Sequence, residues 1–126
     1  MVPPSLIKNL AHIFFTGPAL IYVGIHKTSN APWIFRTMAI VGGILFFYFL
    51  WKFAMNVSEL WYLVHAIIFM SLIFYVGWKQ GAVNPTFFSV LIAIGFGAIG
   101  YHSYRFLGAT IFRKQVLSSP TIDIMV

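Results

Sequence analysis

From Met38 to Trp51 the chain carries no charged residue, inside an apolar run at 33–53, and further runs of the same kind lie at 5–25, 60–78 and 86–106. Each is close to the roughly 20 residues an α-helix needs to cross about 30 Å of hydrocarbon. Strands are excluded by the unbroken apolar length, because barrel strands alternate and are about half as long. Only 8% of residues are charged and the mean hydropathy is +0.90, where soluble domains carry about 25% charge. A water-soluble fold of 126 residues would have too little polar surface to coat itself. The expected fold is an all-α membrane protein: one membrane domain over 1–126 with four transmembrane helices. The linkers at 27–32, 54–59 and 79–85 are short, so consecutive helices run antiparallel as neighbours.

An internal repeat organises these runs. Shifted by 53 residues, positions 10–53 align with 63–106 without a gap. Identical pairs include Leu10/Leu63, His12/His65, the triplet Tyr22-Val23-Gly24 with Tyr75-Val76-Gly77, Pro32/Pro85, Gly42/Gly95, Tyr48/Tyr101 and Phe53/Phe106. The spacing predicts two tandem helical hairpins. Two crossings return a chain to its starting side, so both hairpins share one orientation, unlike the inverted repeats of many transporters. Gly24 and Gly77 are expected to stop a helix, and Pro32 and Pro85 to precede the next. Residues 107–126 form a basic, then polar, tail.

The net charge of +6 comes from eight basic residues spread along the chain at the ends of apolar runs, as Lys and Arg lie when they snorkel to headgroups. Lipid is therefore the expected partner, with other protein subunits, and no specific nucleic-acid binding is expected. Lys8, Lys52, Arg105, Arg113 and Lys114 fall on the side of the termini, and Lys27, Arg36 and Lys79 on the other. That bias places both termini on the cytoplasmic-equivalent side. No basic residue precedes the first apolar stretch, so it is expected to be retained rather than cleaved as a signal peptide. Tyr22 and Tyr75 mark one membrane interface, and Tyr48, Trp51 and Tyr101, with Arg113 and Lys114, mark the other. Ala39, Gly42 and Gly43 form a small-residue face on the second helix, and Ala93, Gly97 and Gly100 form one on the fourth. Such faces let helices approach closely, within the chain or against another subunit.

Candidate chemistry is sparse. There is no cysteine, and Glu59 and Asp123 are the only acids, which removes thiol chemistry and leaves almost nothing for carboxylate catalysis. No enzymatic activity is expected, and no resident cofactor. His12 and His65 occupy matched positions inside helices one and three, where polar groups are functional suspects. Under an alternative reading they ligate a b-type haem between them as part of a redox anchor. Leu63-Val64-His65-Ala66 is similar to the haem-bearing helix of succinate dehydrogenase membrane anchors, although those have three helices and no carboxylate here orients the ligand. The other option for these histidines is an interhelical hydrogen bond, for instance to Asn9, Thr16 or Ser71. His26 and His102 are expected near the interfaces. Pro18 should kink helix one near Phe14, breaking the symmetry with Ser71; in a small transporter, a further alternative, that kink is a hinge.

The string His12-Ile13-Phe14-Phe15-Thr16-Gly17-Pro18-Ala19-Leu20-Ile21-Tyr22-Val23-Gly24, the loop proline and Gly100-Tyr101-His102-Ser103-Tyr104 resemble a class of small multi-pass membrane proteins encoded by large double-stranded DNA viruses of algae and protists. The first hairpin departs from that pattern with Tyr48-Phe49 in place of Tyr-His, and the second lacks Gly-Pro. The resemblance implies a component of a virion inner membrane beneath the capsid, or a minor capsid protein, with no catalytic residues to transfer. The expected function is that of a structural or assembly subunit of a larger complex.

Overall fold

A computed structural model describes residues 4–118, with side-chain burial over 5–111. The described residues contain no strand. Four helices are long and apolar enough to cross a membrane: Ser5–Ser29, Pro32–Met55, Leu60–Trp78 and Thr86–Ile111, the make-up of a multi-pass integral membrane protein. The last of these helices continues to Ser118, taking in much of the segment read as a tail; residues 119–126 lie outside the described residues.

The first and third spans are interrupted in the same way. In the first, a π-helical turn at His12–Thr16 separates α-helices Pro4–Ala11 and Gly17–His26; in the third, a π-helical turn at His65–Met70 separates Leu60–Val64 from Ser71–Trp78. The residues just after each turn explain it. Pro18 has no N–H to offer the Phe14 carbonyl. At the matched position Ser71 donates its hydroxyl to the Ile67 carbonyl and lies 3.4 Å from that of Ile68, competing with the backbone ladder. The expectation that Pro18 alone disturbs its helix is therefore corrected: proline and serine loosen the same turn by different means.

The glycines expected to stop helices do not do so. The helices run past Gly24 and Gly77 to His26 and Trp78, and the left-handed residues that end them are Lys27 (φ 49°) and Gln80 (φ 50°). After the third span, Gln80 N–H donates to Gly77 O at 3.0 Å and Gly81 N–H to Val76 O at 3.1 Å, a Schellman closure. After the first, the buried Asn30 caps the helix, its Nδ2 donating to Val23 O at 3.0 Å and Lys27 O at 2.5 Å. Pro32 then opens the second span at its first turn, where a missing N–H costs nothing.

The described residues divide into two compact units, 4–22 with 91–118, and 23–90. The first unit joins most of the first span to most of the fourth, and the second holds the second and third spans with the end of the first and the start of the fourth. These units cross the hairpin boundaries at 10–53 and 63–106: each pairs a helix from one half of the sequence with a helix from the other. In lipid, apolar burial gives helices no drive to associate, so contact depends on close approach at small residues. In the second unit a Cβ added to Gly42 would lie 2.7 Å from Phe74 N, and one on Gly77 would lie 2.6 Å from Phe35 O and run into Ala39 N. In the first unit a Cβ on Gly95 would lie 2.8 Å from Gly17 O and 3.2 Å from Ile21 N. Gly77, one residue before the end of its helix, is thus a packing residue.

Candidate functional site

The polar side chains of the first unit meet where its two helices touch. Asn9 is buried at 8% exposure, although an amide in hydrocarbon is costly unless bonded. Its partner is 93 residues away: His102 Nδ1 lies 2.8 Å from Asn9 Oδ1. The His102 ring stacks on His12, with centroids 4.1 Å apart and planes at 28°, and packs edge-on against Tyr101. His12 Nδ1 lies 2.9 Å from the Lys8 carbonyl. Both oxygens are acceptors only, so each ring donates from Nδ1 and its basic nitrogen is Nε2. Asn9, His12 and His102 thus form one connected group between the first and fourth spans.

The second unit repeats this arrangement in apolar form. His65 also opens a π-helical turn, and its Nδ1 lies 2.9 Å from the carbonyl of Trp61, four residues earlier. Its ring meets Phe49 at 5.0 Å, and Phe49 meets Tyr62 at 6.3 Å. Phe49, Tyr62 and His65 stand 53 residues from His102, Asn9 and His12 in sequence. Trp61 and Phe69 complete the aromatic surroundings of His65.

Of the residues singled out in the sequence, His12 and His65 therefore lie in different units with different ring partners, and His102 takes part in the inter-helix contact of the first unit. Ala39, Gly42 and Gly43 lie against the third span, whereas Ala93, Gly97 and Gly100 are exposed, with no atom within 4 Å of a Cβ added at Gly97 or Gly100. Tyr22, Tyr48, Trp51, Tyr75 and Tyr101 are all exposed, and Lys52 Nζ lies 5.4 Å and 5.9 Å above the rings of Trp51 and Tyr48. The side chains of Arg113 and Lys114 fall outside the described region. Sequence reasoning missed the Asn9–His102 bond. The signal that could have found it is the 53-residue spacing carried one residue beyond the aligned stretch, which sets His102 against Phe49 and Asn9 against Tyr62, so that two polar replacements fall on helices meeting in one unit.

No group of three potential metal-binding side chains occurs among the described residues. An open apolar groove of about 400 Å³, lined by Ala39, Ile40, Gly43, Ile44, Phe47, Phe74 and Trp78, offers no polar group to hold a ligand. No family model matches the chain, and no curated protein or solved structure matches it.

Proposed function

We propose that the protein is a non-enzymatic, multi-pass membrane subunit that assembles laterally with other chains, its four spans having arisen by duplication of a helical hairpin. The observation that carries the assembly reading is the open face of the fourth span. Ala93, Gly97 and Gly100 are exposed, and the space beyond the two glycines is empty to 4 Å. Bare backbone at helical spacing is the surface another membrane helix packs on. The test is native-gel migration of the complex extracted from its own membrane. Gly97→Leu/Gly100→Leu should leave helix content and thermal midpoint unchanged while the protein drops to its own mass; an unchanged assembly refutes the reading.

Duplication accounts for the recurrence of features at the 53-residue spacing. The buried Phe35, Met38 and Gly42 of the second span have buried counterparts in Phe88, Leu91 and Gly95. Lys27 and Gln80 share a left-handed backbone, and the glycine contacts Gly42–Phe74 and Gly95–Ile21 join matched residues. The basic-residue bias supports termini on the cytoplasmic-equivalent side. The viral resemblance extends the reading to a virion inner membrane or a minor capsid position, which detection of the chain in purified particles tests.

One observation favours a second reading, a haem-bearing anchor: the Nδ1 of His65 is held by the Trp61 carbonyl, which fixes the tautomer a haem ligand needs. A Soret band in the purified protein that His65→Ala removes would establish it in place of the structural role.

A further inference from the structure

The second unit leaves one side of its helix pair open. The groove there is lined by Ala39, Gly43, Ile44 and Phe47 on the second span and by Phe74 and Trp78 on the third. The rings of Phe74 and Trp78 stack with centroids 5.8 Å apart and planes at 22°. A helix packing beside this pair would follow the full Pro32–Met55 span; the groove follows less than half of it. One turn before the groove stands Arg36, and the eleven residues from Arg36 to Phe47 cover about 16 Å of helix. That is about half of a 30 Å hydrocarbon core, the depth one acyl chain reaches.

We propose that this groove and two cations beside its outer end, Arg36 and Lys79, form a binding site for one anionic phospholipid. Arg36 lies three and four residues before Ala39 and Ile40, so it continues the groove's face of the second span. Its Cβ leans towards the helix N-terminus, which here is the nearer membrane surface. Lys79 follows Trp78 at the end of the third span. The two cations are level across the helix pair: Phe35, next to Arg36, lies against Gly77 through its carbonyl and against Gly81 through its ring, and Lys79 sits between those glycines. Both are exposed. Glu59, the one carboxylate among the described residues, is in the linker at the opposite end of these spans. The second span has no acidic residue in its first turn, so the positive end of its dipole adds to the same field. Two cations at headgroup depth attract a phosphate, and a groove without polar lining suits the chain attached to it. The fourth span repeats neither part, because Ser89 and Phe96 stand 53 residues after Arg36 and Gly43. One lipid per chain follows.

Trp78 reports occupancy, since its ring lines the groove. The test chain keeps it as the single tryptophan through Trp33→Phe/Trp51→Phe/Trp61→Phe and is reconstituted in phosphatidylcholine vesicles. Lipid brominated on its acyl chains quenches Trp78 at a lower mole fraction when the headgroup is phosphatidylglycerol than when it is phosphatidylcholine. Each cation supplies about a fivefold preference, so Arg36→Gln or Lys79→Gln lowers it by that factor and the double variant abolishes it. Lys52→Gln, about 24 Å away along the same helix, leaves it unchanged. Gly43→Leu fills the groove and weakens quenching by both lipids. Native mass spectrometry keeps the proposal testable if the tryptophan replacements fail to fold: the parent chain retains one phosphatidylglycerol in preference to phosphatidylcholine, and Arg36→Gln/Lys79→Gln does not. Equal quenching by the two headgroups, a preference that survives loss of both cations, or a Trp78 shielded from both lipids by another chain overturns it.

Discussion

In the first unit His102 meets Asn9 through a hydrogen bond and His12 through a stacked ring; in the second, at positions 53 residues away, Phe49 meets Tyr62 and His65 through ring contacts. The helices in both cases approach at a glycine, Gly95 against Gly17 and Ile21, or Gly42 against Phe74. The difference separates two roles that are usually entangled in membrane helix pairs. Close backbone approach sets the pairing and is common to both units. The polar group is an addition to one of them, and the aromatic version shows that the pairing can be made without it.

The largest expected effect tests the shared part. Gly42→Val and Gly95→Val each force a Cβ into backbone less than 3 Å away, an overpacking that costs about 3 kcal/mol. Unfolding in detergent or bilayer should register equal losses; a cost confined to one unit would break the equivalence. The next effect is specific to the first unit. Asn9→Leu removes the amide bonded to His102 and should destabilise by about 1 kcal/mol, the scale of interhelical hydrogen bonds in membranes, whereas Asn9→Tyr with His102→Phe, which copies the second unit, should recover most of that loss. Thermal midpoints of the single and double variants report the coupling. The smallest effect lies at the helix ends. Lys27→Gly and Gln80→Gly relieve a left-handed backbone at φ 49° and 50°, and each should stabilise by about 0.5–1 kcal/mol in the same unfolding assay.

Much of this fold is legible in the sequence because the membrane imposes one dominant rule. Hydropathy locates all four spans: the third matches its apolar run at both ends, the fourth begins at Thr86 as expected, and the first, second and fourth end a few residues later than the apolar runs imply. What escapes is what each side chain ends up bonding or packing against, near or far along the chain. The smallness of Gly77 reads as a helix stop, yet it serves the contact with Phe35 and Ala39, and nothing local distinguishes the two uses. Pro18 reads as an asymmetric kink because Ser71 shows its equivalent effect only when its hydroxyl is seen bonded to a carbonyl. The bonding of His102 is hidden because its partners, Asn9 and His12, lie at the other end of the sequence. The 53-residue spacing held a clue: the polar-for-aromatic exchanges at 102/49, inside the alignment, and at 9/62, just before it, fall on residues that meet in one unit.

The central claim is that the two units are equivalent frames carrying different side chains. Its most direct test exchanges those side chains in one chain, Asn9→Tyr, His102→Phe, Phe49→His and Tyr62→Asn together, and follows thermal unfolding by circular dichroism in lipid. The account predicts a folded protein within about 1 kcal/mol of the parent, since each group moves to a matched setting. A chain that loses its cooperative transition would contradict it.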